Sequence, residues 1–251
     1  MATVASLWRH PIKSHGREAL ESVTLTKGRT FPWDRHWAVT HGKTKFSAAD
    51  PGWVSCRNFM IGTVLPRLAG LWATLDEATV TITLRHDHLG QITFRPDDPG
   101  DVTRFLEWVA PLSAETSLAP TALVSAGDRG MTDSDYPSVS IMSKASHAAV
   151  SARLGGNLEQ ERWRGNIWLD GLSPWEEFEW IGKRVRIGDA TLEIREPIER
   201  CKHTTANPRT GERDADTLGV LNDTFGHQNF GVYATVVETG ALSVGDSAKV
   251  L

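Results

Sequence analysis

The sequence predicts a mainly β protein with a few helices, an α+β chain built as a β-barrel with an associated β-rich N-terminal part. Three observations carry that expectation: short alternating segments dominate, glycine and proline turns separate them, and capped helical stretches are few. From Val4 to Ile12 the chain reads as a first strand, followed by Val23–Thr26 and Trp37–Thr40. Thr79–Arg85 alternates apolar and polar residues, and Gln91–Arg95 resumes the alternation after His86-Asp-His-Leu-Gly90, which reads as a hairpin. Pro96-Asp-Asp-Pro-Gly100 is the clearest break in composition and divides the chain into parts 1–96 and 97–251. Beyond it, a helix is expected over Asp101–Ala110, with Asp101 as N-cap and Pro111 as stop. A second is expected over Ser143–Leu154, opening on a capping serine and ending at Gly155-Gly156. Arg184–Arg195 repeats the hairpin design around a Gly188-Asp189 bend. Val232–Val237 and Ala248–Leu251 complete the strands.

Composition narrows the classes of function. With 251 residues the chain can bury about 70–75% of its unfolded surface and needs no disulfide staples. A net charge of −4 gives no global attraction to nucleic acid or an anionic membrane, although it allows a local basic pocket. Two cysteines, Cys56 and Cys201, cannot ligate a four-thiolate iron–sulfur cluster within one chain. No apolar run approaches the length of a membrane span and no secretory leader opens the sequence, so a cytoplasmic protein is expected. Ten tryptophans against two tyrosines suggest large rigid walls for a core or pocket. The glycine signatures of dinucleotide and P-loop sites are missing, as is the Gly-x-Ser-x-Gly elbow of serine hydrolases.

Four clusters carry polar chemistry. Cys201 follows a predicted strand and is flanked by Arg200, Lys202 and His203, charges that favour the thiolate needed to attack electrophiles or bind soft metals. The Asn207-Pro-Arg-Thr-Gly211 turn should fold Arg213 and Asp214 back towards that strand end. A small buried hydrophobe remains the alternative for Cys201; Cys56, with one adjacent cation, reads as structural. Lys13, Ser14 and nearby Gly16 suit an anion or phosphate, or form an ordinary basic loop. Asp34-Arg35-His36, between Trp33 and Trp37, reads as a buried ion pair on a strand or as an arginine presented to a ligand. Arg164 and Asn166 fall two apart on an expected strand and so share a face, either a solvated one or one turned to a ligand.

Taken together these strings resemble the MOSC family, named for the C-terminal domain of molybdenum-cofactor sulfurase and including the amidoxime-reducing component. The resemblance rests on Trp8-Arg-His-Pro-Ile-Lys-Ser14 and Asp34-Arg-His-Trp37 in the part like the family's N-terminal β-barrel. It continues through Pro137-Ser-Val-Ser-Ile141, Arg162-Trp-Arg-Gly-Asn166, Arg200-Cys201, Asn207-Pro-Arg-Thr-Gly-Glu-Arg213, Phe230-Gly-Val-Tyr233 and Val244-Gly-Asp246. It implies a MOSC-type β-barrel over 97–251, an N-terminal β-rich domain over 1–96, and a site for the molybdenum cofactor (Mo-molybdopterin). On that basis Cys201 is the catalytic thiolate on the metal. Lys13, Ser14 and Arg35 hold the pterin or its phosphate, and Ser140, Arg164 and Asn166 reach it from the opposite wall. The implied activity is reduction of N-hydroxylated or N-oxide small molecules, with electrons from an external ferredoxin- or cytochrome-like protein. In this picture Trp33 and Trp37 line the substrate entrance. The alternatives are a cofactor or sulfur carrier that uses Cys201 without turnover, and a cofactor-free interaction barrel with an inert Cys201.

Overall fold

The computed structural model describes residues 1–251. The strands in chain order are β1 (Ala2–Arg9), β2 (Glu18–Leu20), β3 (Ser22–Leu25), β4 (Trp37–His41), β5 (Trp72–Asp76), β6 (Thr81–His86), β7 (Gly90–Phe94) and β8 (Pro120–Ser125). They continue as β9 (Val139–Ser143), β10 (Ile167–Asp170), β11 (Arg184–Ile187), β12 (Ala190–Glu199), β13 (Asn229–Glu238), β14 (Gly240–Ser243) and β15 (Ser247–Val250). Three helices join them: α1 (Pro99–Val109), α2 (Lys144–Arg153) and α3 (Thr217–Phe225). The expected mainly β fold with a barrel is the fold observed.

Seven strands close a barrel in the order β10-β9-β13-β12-β11-β15-β1, with β1 pairing back onto β10. Closure leaves no edge exposed along the ring, and β9–β10 is its one parallel pair. Alternation does the work: β11 buries Val185 and Ile187 and exposes Arg184 and Arg186. Those inward residues join Val4, Leu7, Ile141, Ile167, Leu192 and Val232 in one apolar core. The Gly188-Asp189 bend is as the sequence suggests, with Gly188 at φ +55° where a two-residue hairpin turn requires a positive value.

A second core lies outside the barrel. The meander β5-β6-β7, the pair β4–β8 and α1 enclose Ile12, Met60, Leu68, Leu84, Phe94 and Phe105. The chain starts in the barrel with β1, returns to it with β2 on β1 and β3 on β14, runs through the outer core from β4 to β8 and re-enters the barrel with β9. The break at Pro96–Gly100 runs from just past the end of β7 into the first turn of α1. A third cluster, including Val150, Trp163, Trp168, Leu221 and Phe230, packs α2 and α3 against the barrel. No helix is long and apolar enough to cross a membrane.

Two local readings need correcting. The cap of α1 is Asp98, whose side chain accepts from Asp101 N at 2.9 Å; Pro99 then takes the first turn, where its missing N–H costs nothing. Arg164 is on no strand: Gln160–Trp163 form a 3-10 turn that ends on Arg164 at φ +50°, and β10 begins at Ile167. By contrast α2 opens on Ser143, whose Oγ accepts from Ser146 N.

Candidate functional site

The segments that run between the two cores leave a cavity of about 510 Å3. One wall comes from outside the barrel, from Lys13, Ser14, Arg35 and the Cys56–Val64 stretch. The other comes from the barrel, with Ser140 and Tyr233 on strands β9 and β13 and Arg164, Arg200 and Cys201 on its connections. Lys13 and Arg35 are brought together by the start of β4: Lys13 N donates to Trp37 O at 2.8 Å and Arg35 N donates to His10 O at 2.6 Å. Ser14, Arg35 and Arg164 all adopt left-handed backbone, at φ +61°, +51° and +50°. Such conformations cost a non-glycine residue of order 1 kcal/mol or more and persist where the surroundings over-determine them.

The cavity is cationic although the chain is not. Six lysine and arginine side chains face two carboxylates, Asp133 and Glu199, around its wall. Most of these cations already have partners. Lys13 Nζ donates to Met131 O and Asp133 Oδ1, both at 2.6 Å. Burial pushes the Asp133 carboxyl up, but Lys13 overrides it and brings the group down to about 2. Arg35 is paired with buried Asp34, which also accepts from His10 N, and its Nη2 donates to Arg164 O at 3.0 Å. The Asp34–Arg35 pair is buried, in a turn ahead of β4 rather than on a strand, and Arg35 also lines the cavity. Arg164 is different. Its Nη1 donates to Gly16 O at 3.2 Å, whereas Nη2 is buried with no partner. Burial first, then the neighbouring Arg35, lower its guanidinium to about 9, still charged at neutral pH.

Cys201 leaves β12 as the residue before a 3-10 turn, Lys202–Thr205, and its side chain is exposed. Its sulfur contacts Thr63 Oγ1 at 3.0 Å. The flanking cations behave differently from one another. Arg200 turns inward, donating to Trp163 O and Phe230 O. His203 is buried, and burial followed by the Arg164 charge drives its pKa well below 6.5, so it is neutral. The Asn207–Gly211 turn forms as expected, with Asn207 Oδ1 accepting from Arg209 N, and it returns Arg213 to Lys202 O and to Thr63 O across the cavity mouth.

The MOSC domain profile matches residues 128–249 and the profile of the MOSC N-terminal β-barrel domain matches residues 1–115. The chain belongs to the MOSC family. A molybdenum cofactor sulfurase of Drosophila grimshawi is 36% identical over 74 residues, 29% of this chain and 9% of that protein. That of Drosophila ananassae is 28% identical over 160 residues, 59% of this chain and 20% of that protein. This MOSC chain thus spans about a tenth to a fifth of the length of those sulfurases. Among solved structures, the YuaD protein of Bacillus subtilis aligns over 100% of this chain and 96% of its own, with 13% identity and a TM-score of 0.49. YiiM of Geobacillus stearothermophilus aligns over 45% of this chain and 53% of its own, with 17% identity and a TM-score of 0.36.

Of the residues singled out in the MOSC sequence, Lys13, Ser14, Arg35, Ser140, Arg164 and Cys201 line one cavity. Asn166 does not. Its Oδ1 accepts from Ser140 N and Oγ, its Nδ2 donates to Trp8 O, and it stands behind Ser140 as a brace between β9 and β1. Trp33 and Trp37 are not among the residues lining the cavity: they stack at 5.5 Å in the outer core, and the aromatic lining is Trp163 and Tyr233. Cys56, whose plain sequence neighbourhood points to a structural role, lines the cavity. Burial and then Asp133 push its thiol up, so it stays protonated at neutral pH. Asp133, Thr63 and His203 were missed as site residues. Of the other lining residues, Arg162, Trp163, Arg200 and Tyr233 stand in the quoted strings.

Proposed function

We propose that this MOSC protein binds the molybdenum cofactor in the cavity and reduces N-hydroxylated or N-oxide small molecules, using electrons from an external redox protein. The observation that carries the reading is the exposed Cys201 sulfur opening onto a cavity walled by cations from distant parts of the chain. No three His, Cys, Asp or Glu side chains cluster as a metal cage, so a metal here needs donors beyond those of the protein. A pterin with a dithiolene and a phosphate fits that need. Cys201 offers one soft sulfur, and the unpartnered Arg164 Nη2 offers a buried charged donor to an anion.

In this reading Lys13, Ser14 and Arg35 hold the pterin or its phosphate from one side, and Arg164 and Ser140 hold it from the other. Asn166 acts through Ser140. When bound, the cofactor supplies two-electron oxygen-atom chemistry at molybdenum. The net reaction takes two electrons and two protons, cleaves the N–O bond and releases the oxygen as water. Trp163, Ile61 and Val64 give the cavity apolar area for the organic part of a substrate.

Protein expressed in a host that makes the cofactor is assayed for molybdenum, for fluorescence of the oxidised pterin, and for turnover of an aromatic amidoxime with reduced viologen. Bound cofactor and turnover are expected, with Cys201→Ser folded but at least 100-fold slower. Bound cofactor without turnover would instead establish the carrier alternative, and equal rates for the wild type and Cys201→Ser would remove Cys201 from the chemistry.

A further inference from the structure

One short segment of the N-terminal part reaches across the cavity mouth to the barrel. Residues 61–65 form a turn in which Val64 N and Leu65 N both donate to Ile61 O. It is tied down on two sides. Gly62 N donates to Ser14 Oγ at 3.3 Å, and Thr63 O accepts from Arg213 Nη2 at 2.7 Å. It also lies flat on His203: a Cβ at Gly62 would come within 1.7 Å of His203 Nδ1, so only glycine permits the approach. These ties place the Thr63 hydroxyl 3.0 Å from the Cys201 sulfur, the one side-chain hydrogen bond that this sulfur makes and the one that this hydroxyl makes.

We infer that Thr63 is a positioning residue for Cys201: its hydroxyl holds the sulfur towards the cavity and donates a hydrogen bond to it whenever it carries a metal. The direction follows from chemistry. A free thiol and a hydroxyl can each donate to the other, but a metal-bound thiolate has no proton, so the hydroxyl must be the donor. A hydrogen bond to a ligating sulfur withdraws electron density and raises the reduction potential of the metal it binds. That second consequence rests on the cofactor reading above; the hydrogen bond does not.

The test uses the full chain with Cys56→Ser, so that Cys201 is the only thiol, made first in a host lacking cofactor synthesis. The S–H stretching band in the infrared reports the hydrogen bonding of that thiol directly. Thr63→Val, close to threonine in shape but without the hydroxyl, is expected to shift the band towards that of a free thiol. Thr63→Ser is expected to retain it, and circular dichroism checks that both variants fold. In cofactor-loaded protein, Thr63→Val should keep molybdenum and pterin content while the reduction potential moves down and the Mo(V) electron paramagnetic resonance signal changes. Identical bands for Thr63→Val and its parent would overturn the inference, as would a Thr63→Ser band matching Thr63→Val. A band that responds in a chain that never takes up molybdenum would sink the cofactor reading, and with it the tuning of a metal, while leaving the positioning of the sulfur in place.

Discussion

Two thiols face the cavity, and their surroundings assign them different work. Cys56 is half-buried, and burial together with Asp133 holds it as a protonated thiol, a poor ligand and nucleophile. Cys201 is exposed at the end of β12, with a hydroxyl on its sulfur. Cys56→Ser is therefore expected to leave molybdenum content and turnover within about two-fold of wild type, and a loss matching that of Cys201→Ser would show that the two act together. Arg164 is the most demanding of the cations because burial leaves one of its nitrogens without an acceptor. A charge-assisted hydrogen bond in such a place is worth about 1.5–3 kcal/mol, roughly 10- to 100-fold in affinity. Arg164→Met should lose cofactor by that factor, read as the molybdenum-to-protein ratio after dialysis; an unchanged ratio would take Arg164 out of the site. The same substitution gives up the Nη1 bond to Gly16 O but also removes the desolvation cost of the unpaired Nη2, so its effect on the fold should be small.

At the scale of elements, the cavity depends on connections more than on strands. Helix α2 follows β9 directly, and its cap, Ser143, is fully buried. Ser143→Ala should lower stability by about 1–2 kcal/mol, because the N–H of Ser146 then lacks its acceptor inside the protein; a smaller loss in urea unfolding would mean that water replaces the hydroxyl. Strands with clean alternation, such as β6, β7 and β11, were legible, because a period of two needs no tertiary information. Helix α3 was not legible: Gly219, Val220 and Thr224 weaken its propensity, and only Asp216 and Gly226 mark its ends. Arg164 was misplaced for a related reason, since alternation through Arg162-Trp-Arg-Gly-Asn166 looks like a strand while the backbone there coils and reverses. For the site, the charged strings around Lys13, Arg35, Arg164 and Cys201 could be read locally. Thr63 and Asp133 could not, because their neighbours carry no signal and only the fold brings them to Cys201 and Lys13.

Across the whole molecule, stability and function draw on the same buried polar groups, and their titration sets a definite pH profile. Burial first of all lowers His10 to about 3 and His15 to about 4, so both stay neutral in the folded protein. In the unfolded chain each takes up a proton near pH 6.5; the unfolded state then binds more protons, and stability falls as the pH drops from 6.5 towards 4. Glu177 works in the opposite sense. It lies fully buried beneath α2, its Oε2 accepting from Ser146 Oγ at 2.9 Å and its Oε1 unpartnered. Burial, then Glu176, raises it from 4.5 to about 7. Here the folded state holds the extra proton between those values, so stability falls as the pH rises through 4.5 to 7 and the whole penalty is present above 7. Each group contributes about 1.4 kcal/mol per pH unit inside its window. Burial lowers His36, His86, His147 and His203 in the same direction, so six histidines oppose one carboxyl below pH 6.5 and acid destabilises; between 6.5 and 7 Glu177 offsets the last of that gain and stability levels off. The melting temperature should therefore fall on the acid side and peak near neutral pH. Glu177→Gln, which imitates the protonated acid, should gain up to about 3 kcal/mol at pH 8 and little at pH 4.5. Thermal melts of the two proteins from pH 4.5 to 8.5 decide it: the curves should diverge as the pH rises, and parallel curves would mean that Glu177 reaches water and titrates normally.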